Sequence, residues 1–331
     1  MESLNDFLTA ATRGIANGYA LSTLIVDIAA CTKEIAALVA QGALGEANAK
    51  LASQNVQGET QMAIDVLSND VFVASLKKSG VVAGFVSEEL ENAQMIEAKN
   101  PLFLVNFDPL DGSSNVAVNV SVGTIFSILP ANKKEFSQAC AMQSGALQIA
   151  AGYALYGPAT MLVLTLGNGT HGFTLDVQSQ NYMLTHEHMK IPETAHEYAI
   201  NVSNQPFWQP PVQRYIAECN AGENGARGRS FNMRWVASMV ADVHRILLRG
   251  GVYLYPQDNK LPMKAGRLRL LYEANPMSFI VEQAGGKSST GRARIMDVQP
   301  TDIHQRIPVI LGSREEVSLI EEYHQQADKN N

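Results

Sequence analysis

Seven consecutive residues, Asp108-Pro109-Leu110-Asp111-Gly112-Ser113-Ser114, combine carboxylates, a turn and hydroxyl groups directly after an apolar run at 102–107. The apolar run predicts a buried strand, and the Pro and Gly predict a turn at its carboxyl end. Two carboxylates and the Leu110 carbonyl offer three hard oxygen ligands of the kind that Mg²⁺ prefers. The Gly and the two Ser leave N–H and hydroxyl groups that suit a phosphate. Asp-Pro and Asp-Gly alone are ordinary turn formers, but the whole segment predicts a phosphoryl-transfer site.

One turn cannot complete a metal site that also binds substrate, so further carboxylates are required. The sequence places candidates at the ends of other predicted elements: Glu59, Asp65, Glu88, Glu89 and Glu273. Acidic pairs are usually only solvated surface groups, and adjacent strand residues point to opposite faces. Glu88 and Glu89 lie in the turn after an apolar run at 81–86, where that alternation no longer applies. We therefore expect both to reach the same cavity.

Longer blocks around these residues resemble class I fructose-1,6-bisphosphatases. The blocks follow in order along most of the chain, at 87–89, 108–114, 121–126, 150–157, 238–245, 268–277 and 300–306. The short Asp-Pro-Leu-Asp-Gly core is shared with the wider metal-dependent sugar and inositol phosphatases, whereas the longer blocks separate this family from them. The resemblance implies Mg²⁺-dependent hydrolysis of fructose 1,6-bisphosphate to fructose 6-phosphate in gluconeogenesis or a Calvin-type sugar cycle.

The resemblance also implies a role for each site residue. The metal positions are Glu88, Asp108, the Leu110 carbonyl, Asp111 and Glu273, which would hold two or more Mg²⁺ ions, with Mn²⁺ able to substitute. The positions that assist a further cation or activate water are Glu59, Asp65 and Glu89. The substrate-binding positions are Asp111, Gly112, Ser113, Ser114 and Arg269 around the leaving phosphate, Asn201, Arg234 and Tyr255 around the retained phosphate, and Arg267 at the sugar.

The chain departs from the family pattern at a few positions. Ala117 stands where the family has an aspartate, Asn204 and Trp235 replace tyrosines, and Arg267 replaces a lysine. These changes leave two alternatives open: a sedoheptulose-1,7-bisphosphatase or dual-specificity enzyme, and a non-catalytic sugar-phosphate sensor. The residues of the family's AMP site are also replaced: its Thr-Gly-Glu turn by Asn17-Gly18-Tyr19, its Lys-Tyr pair by Leu102-Phe103 and its arginine by Pro130, which predicts weak or absent inhibition by AMP.

The surrounding pattern predicts the elements that position these residues. The expected helices are two segments within 4–39, then 62–76, 143–155, 211–219, 236–248 and 276–284. The expected strands are 81–86, 102–107, 120–129, 161–166, 173–175 and 252–255, with a loop at 42–58. The resemblance implies a layered α-β-α-β-α sandwich of the sugar phosphatase type. We place two intimately packed subdomains with mixed sheets at 1–192 and 193–331.

The composition is that of a metabolic enzyme rather than a nucleic-acid or membrane protein. The 331 residues carry a net charge of −7, whereas nucleic acid requires a basic surface. No apolar run reaches the ~20 residues of a membrane span, and no signal-peptide pattern opens the chain. Three scattered cysteines suggest reduced thiols and a cytoplasmic setting. The histidines at 171, 186, 188 and 196 lack metal-ligand spacing, and His244 is expected to make a structural hydrogen bond. The resemblance alone implies a homotetramer.

Overall fold

The structure, a computed structural model, describes residues 1–45, 50–54, 60–131, 137–260 and 265–329. Its helices are α1 (Leu4–Ala11), α2 (Gly18–Ala40), α3 (Ala63–Ser79), α4 (Gln138–Ala141), α5 (Pro210–Asn220), α6 (Met239–Arg249), α7 (Asn275–Gln283) and α8 (Arg314–Lys329). Its strands are β1 (Lys50–Gln54), β2 (Thr60–Met62), β3 (Val82–Ser87), β4 (Gln94–Met95), β5 (Phe103–Asp111), β6 (Val122–Pro130), β7 (Ala150–Tyr156), β8 (Thr160–Thr165), β9 (Thr170–Asp176), β10 (Asn181–Met189), β11 (Glu197–Ala199), β12 (Asn232–Met233), β13 (Val252–Tyr255), β14 (Leu268–Arg269), β15 (Lys287–Ser289), β16 (Arg306–Ile307) and β17 (Val309–Gly312).

Within the described residues, the larger sheet has eight strands in the order β10-β9-β8-β7-β6-β5-β3-β4. Strands β3 and β5 are parallel, and the other neighbouring pairs are antiparallel. Because parallel strands end at the same edge of a sheet, the residues that follow β3 come close to those at the end of β5. This pair therefore brings two acidic segments together.

A second sheet in the described part of the chain has five strands in the order β12-β11-β13-β17-β15. Strand β11 is parallel to both β12 and β13, whereas β17 is antiparallel to β13 and β15. Both sheets are thus mixed, as predicted.

Helices fill the spaces outside and between the two sheets. Helices α1–α3 cover one face of the larger sheet, with a core that includes Leu24, Ile28, Phe72 and Phe126. Helices α6 and α7 lie between the sheets around a second core. Helices α5 and α8 cover the outer face of the smaller sheet. The order is α-β-α-β-α, which confirms the predicted fold class, while the division at 192/193 stays a prediction.

The predicted helix at 143–155 is wrong. The segment contains a 3₁₀ turn at Gly145–Leu147 and then strand β7, whose residues are all buried. Burial on both faces removes the alternation that would have indicated a strand. A Cβ at Gly152 would lie 2.5 Å from Phe126 Cζ, so the small residues here allow close contact with the side chains of the neighbouring strand. The predicted loop at 42–58 is wrong in part, because its described residues include a 3₁₀ turn at Gly42–Leu44 and strand β1. The other predicted helices and strands lie within a few residues of their observed bounds.

Candidate active site

A β-bulge at the end of β5 turns two carboxylates toward one cavity. Asp108 lies opposite Ile125 of β6, but Asp111 lies opposite Gly123, so three steps on β5 match two on its partner. In a regular strand, residues three apart point to opposite faces, and a bulge re-aims one of them. The Leu110 amide donates to Asp108 Oδ1 at 2.9 Å, which fixes the turned segment.

Three buried carboxylates come together at this point. One oxygen each from Asp108, Asp111 and Glu273 lies within 4.8 Å of the other two. Glu273 comes from a π-helical turn, Leu270–Ala274, that runs directly into α7. Its Oε2 accepts the Arg269 amide at 2.5 Å, so the backbone of this turn orients the side chain. The spacing suits a cation ligated by oxygen atoms.

Glu88 and Arg269 complete the inner wall of the site. The Glu88 amide donates to Phe107 O at 3.2 Å across the parallel strand pair, which sets Glu88 beside Asp108. Arg269 Nη1 lies 2.9 Å from Glu88 Oε1 and 3.8 Å from Glu273 Oε2. The guanidinium therefore compensates part of the negative charge from the side opposite the bulge.

Burial and mutual repulsion raise the pKa values of these acids. Burial, with Glu88 and Asp111 beside it, raises the pKa of Asp108 well above its usual range. Burial raises the pKa of Asp111 to about 6, although hydrogen bonds from Val240 and Ser238 lower it in part. Burial likewise raises the pKa of Glu273 to about 8, against the lowering effect of Arg269. These acids repel one another when they are ionised, so all of them can be ionised at once only if positive charge is added to the site.

The acidic cavity, as we call it, has a volume of about 360 Å³ and continues past the carboxylates to a turn rich in hydroxyl groups. Gly112 has φ 74°, and a Cβ there would lie 2.8 Å from the Ser238 Cβ, so the turn requires glycine on both counts. The described lining residues are Asp65, Glu88, Glu89, Asp108, Leu110, Asp111, Gly112, Ser113, Ser114, Arg269 and Glu273. The structure thus brings together every predicted metal, catalytic and leaving-phosphate residue except Glu59, which lies outside the described residues.

Asp65 enters the cavity from the first turn of α3. Its Oδ2 accepts the Met62 amide at 2.8 Å, so the carboxylate caps the helix and is held in place. Glu89 is held by its own backbone, which donates to Ser87 Oγ at 3.2 Å. Both acids line the same cavity as Ser113 and Ser114. They are positioned to contact a group bound between the hydroxyls and the inner carboxylates.

The residues predicted around a retained phosphate divide into two groups. Asn201, Tyr255 and Arg267 line one small pocket, together with Ile200, Asn204, Trp208, Pro256 and Asp258. Arg234 lies outside that pocket, exposed directly after strand β12, with its Nη1 3.3 Å from Met233 O. The neighbouring Trp235 stacks on Tyr255 at a ring distance of 5.8 Å. The pocket is therefore aromatic on one side and polar on the other.

Several residues that shape the site were not predicted. Ser238 Oγ and the Val240 amide donate to Asp111 Oδ2 at 2.9 and 3.0 Å, and Asp242 accepts backbone N–H groups just before α6. The Ser-x-x-x-Asp spacing at a helix start was a usable signal for Ser238 and Asp242. Asp258 forms an ion pair with Arg267 at 3.3 Å, and no local pattern marks it.

His244 makes the structural hydrogen bond that its position predicts. Its Nδ1 lies 2.8 Å from the buried Tyr153 hydroxyl. The described residues show one cluster of potential metal ligands, the three acids above, and no histidine belongs to it. Among the described helices, none combines the length and the apolar character needed to cross a bilayer.

An acidic cavity at the ends of neighbouring strands in a layered α/β fold, with a hydroxyl-rich turn beside it, defines a site of the metal-dependent phosphatase class. Family models described as the N-terminal and C-terminal domains of fructose-1-6-bisphosphatase match residues 4–187 and 191–325. The chain belongs to the class I fructose-1,6-bisphosphatase family.

Individual relatives agree with that assignment. A class 1 fructose-1,6-bisphosphatase of Methylobacillus flagellatus is 54% identical over 99% of each chain. One from Hydrogenophilus thermoluteolus is 54% identical over 93% of this chain and 87% of its own length. The crystal structure of Leishmania major fructose-1,6-bisphosphatase in holo form superimposes with a TM-score of 0.91, at 37% identity and 98% and 99% coverage. The predicted family is confirmed.

Proposed function

We propose that this chain hydrolyses fructose 1,6-bisphosphate to fructose 6-phosphate and phosphate in a Mg²⁺-dependent reaction. The single observation that carries the proposal is the acidic cavity, where three buried carboxylates meet beside Gly112, Ser113 and Ser114. Membership in the family supports the substrate. The geometry supports the position of the reacting phosphate, between the hydroxyl-rich turn and the acids.

The donor set fits a divalent cation. Among the described lining residues, six carboxylates face one guanidinium, that of Arg269, so the cavity has an excess of negative charge at neutral pH. Carboxylate and carbonyl oxygens are the ligands of hard ions such as Mg²⁺. The residues that would hold such ions are Glu88, Asp108, the Leu110 carbonyl, Asp111 and Glu273. When bound, divalent ions supply charge neutralisation at both ends of a phosphoryl displacement.

The chain's own residues position the phosphate and the attacking water. The Gly112–Ser114 turn offers N–H and hydroxyl groups to the leaving phosphate, and a guanidinium such as that of Arg269 makes two-pronged hydrogen bonds to phosphate oxygens. Glu89 or Asp65 accepts the proton of the water as it attacks, which contributes about 10²–10⁴-fold. Glu59 is proposed to assist them. Phosphoryl transfer needs little covalent chemistry from the protein, so such positioning accounts for most of catalysis.

The pocket around Asn201, Tyr255 and Arg267 is proposed to hold the phosphate that stays on the sugar, with Arg234 as a further cation. Asp258 pairs with one nitrogen of Arg267, at 3.3 and 3.4 Å from its two oxygens. The guanidinium has two further nitrogens that can donate to phosphate. Binding there is expected to lower KM for the bisphosphate without taking part in bond cleavage.

The test is phosphate release from a small panel of sugar phosphates with Mg²⁺, with Mn²⁺ and with a chelator. We expect rapid release from fructose 1,6-bisphosphate with either metal and none with the chelator. Fructose 6-phosphate serves as the control, since it lacks the reacting ester. Tight binding of the bisphosphate without any release would support the sensor alternative and overturn the proposal.

A wider substrate range is favoured by the retained-phosphate pocket. Asn204 lines it where the family has a larger tyrosine, and Lys260 Nζ lies 3.4 Å from Asn204 Oδ1. We propose that the smaller side chain, with the Lys260 ammonium beside it, allows the pocket to accept a longer sugar such as sedoheptulose 1,7-bisphosphate. Comparison of kcat/KM for the two bisphosphates decides, because the ratio reports differential transition-state binding.

Four further properties are proposals: the assembly, the cellular setting, the pathway and the response to AMP. We propose a homotetramer in a cytoplasmic setting, acting in gluconeogenesis or a Calvin-type cycle, and light scattering on the purified chain tests the assembly. We also propose that AMP inhibits weakly or not at all. Leu102-Phe103 and Pro130 offer no cation to a nucleotide phosphate, and Phe103 is buried in the core. Micromolar inhibition by AMP in the phosphate-release assay would contradict this.

A further inference from the structure

The turn at 236–240 holds a residue in a backbone conformation that it would not adopt alone. Ala237 has φ 65°, in the left-handed region that residues with a Cβ rarely occupy. The Asp242 carboxylate accepts two N–H groups from this turn, Val236 N to Oδ1 at 3.0 Å and Ala237 N to Oδ2 at 3.2 Å. The conformation of the turn therefore depends on both oxygens of Asp242.

The same turn touches the predicted metal and phosphate segment at several points. Ser238 Oγ and the Val240 amide both donate to Asp111 Oδ2, at 2.9 and 3.0 Å. The Asn115 side chain donates to Val236 O at 3.1 Å. A Cβ on Gly112 would lie 2.8 Å from the Ser238 Cβ, so the two backbones are in close contact. A shift of the turn would move the oxygen of Asp111 with it.

Asp242 itself is buried and does not line the acidic cavity. Its effect on the site must pass through the turn. We propose that Asp242 is a positioning residue that holds the 236–240 turn in its left-handed conformation and thereby orients Asp111 for a divalent cation. The inference rests on the proposed function in assigning Asp111 to the metal.

The main test is Mn²⁺ binding to the full chain, measured by electron paramagnetic resonance with Mn²⁺ alone as the probe. Asp242→Asn keeps the size of the side chain but can accept only one of the two N–H groups. We expect its Kd for Mn²⁺ to rise by about 10–100-fold, the range for groups that orient a metal ligand. An unchanged Kd overturns the inference.

A second substitution separates the turn from the charge. In the double variant Asp242→Asn, Ala237→Gly, glycine adopts φ 65° without steric cost, so the turn returns to its conformation more often. We expect part of the lost Mn²⁺ affinity to be recovered. Absence of any recovery would mean that Asp242 acts through its charge and would overturn the inference.

A control variant and a replacement test accompany the main experiment. Glu316→Gln removes another buried carboxylate, whose partners Tyr215, Arg227 and Arg229 do not line the cavity, and we expect it to lower stability with an unchanged Kd for Mn²⁺. If Asp242→Asn fails to fold, Ser238→Ala takes its place as the test of the next link. It removes one hydrogen bond to Asp111 and is expected to raise the Kd by about 10-fold; an unchanged Kd there overturns the inference.

Phosphate release keeps the inference and the proposed function distinguishable. If the unmodified chain releases no phosphate from fructose 1,6-bisphosphate but Asp242→Asn still weakens Mn²⁺ binding, the proposed function fails and the inference stands. If the unmodified chain is active and Asp242→Asn binds Mn²⁺ normally, the inference fails and the function stands.

Discussion

Two charged clusters in the described part of this molecule, one around the single carboxylate of Glu316 and one in the acidic cavity, have opposite charge balance. In the C-terminal half, Glu316 is fully buried and accepts hydrogen bonds from Arg227 at 2.7 Å, Arg229 at 2.5 Å and Tyr215 at 2.6 Å. Two guanidiniums face one carboxylate there. In the acidic cavity, six carboxylates of the described lining face the one guanidinium of Arg269.

This difference separates a structural cluster from a functional one. A buried carboxylate surrounded by its own cations is satisfied by the fold and needs nothing from solution. A buried group of acids with too few cations is destabilised by mutual repulsion until an ion from solution enters. The uncompensated negative charge of the acidic cavity therefore supports the proposal that a cation binds there.

Asp108→Ala tests the functional side of the comparison and has the largest expected effect. A bound metal contributes several kcal/mol to the transition state, so we expect kcat/KM to fall at least about 10³-fold. The metal-free variant should fold normally, because one source of repulsion is gone. Phosphate release and thermal unfolding are the measurements, with Asp108→Asn as a variant of the same shape. Near-normal turnover in both would remove Asp108 from the metal site.

Glu316→Gln tests the structural side. The substitution leaves two half-buried guanidiniums without their buried carboxylate, and breaking a buried pair costs up to about 3–5 kcal/mol of unfolding free energy. The activity of the folded enzyme and its Mg²⁺ requirement should not change. Denaturant unfolding and metal titration check the two statements separately. A raised Mg²⁺ requirement would show that the two clusters communicate.

The pH dependence of stability should differ with and without metal. The pKa values of Asp111 and Glu273 are raised in the folded state, to about 6 and about 8, above those of the unfolded chain. The folded state thus holds extra protons, and their stabilising contribution is complete below about pH 4 and is lost as pH rises through about 6 to 8. Unfolding in chelator should become easier across that window.

Added Mg²⁺ should reverse that loss. At a concentration of about 100 times Kd, a ligand of the folded state contributes about 2.7 kcal/mol. The gain in unfolding free energy should be larger at pH 8 than at pH 5.5, since the acids must be ionised to bind. Glu316→Gln should show the same gain as the unmodified chain. A gain that is independent of pH would contradict the raised pKa values.

Ala117→Asp adds a carboxylate that belongs to neither cluster, and its effect should be the smallest. Ala117 is exposed on the 3₁₀ helix Ser113–Val118 next to the cavity, so the new charge remains hydrated. Stability should change by no more than about 0.5 kcal/mol. We expect kcat to be kept or raised, because the family has an aspartate there. A large fall in kcat would show that the pocket has been rebuilt around alanine.

The acidic cavity could be predicted from the sequence because its parts carry local signals. Asp108 and Asp111 follow an apolar run and are accompanied by the turn residues Pro109 and Gly112. Glu88 follows the parallel neighbour of that strand. The charges that satisfy Glu316 could not be predicted, since Arg227 and Arg229 are nearly ninety residues away in sequence. Contacts of that kind depend on the packing of α5 and α8 and leave no periodic trace.

The errors in the predicted elements have a similar cause. Strand β7 was taken for a helix because its small buried residues show neither the helical period nor the alternation of a strand. Helix α8 was not predicted, although Val317, Ile320 and Tyr323 form an apolar stripe on it. Asp258 contacts Arg267, nine residues further along the chain. In each case tertiary packing, rather than local preference, determines the outcome.

The acidic cavity is lined by residues from two segments that are far apart in sequence. Asp108 and Asp111 belong to the larger sheet, whereas Glu273 and Arg269 arrive with the segment that leads into α7, between the sheets. Under the proposed function, a divalent cation held by Asp108, Asp111 and Glu273 would tie the larger sheet to the segment that leads into α7, as a cross-link would. Metal binding is therefore expected to stabilise the arrangement in which these two segments are packed together, because the three acids form one site only there.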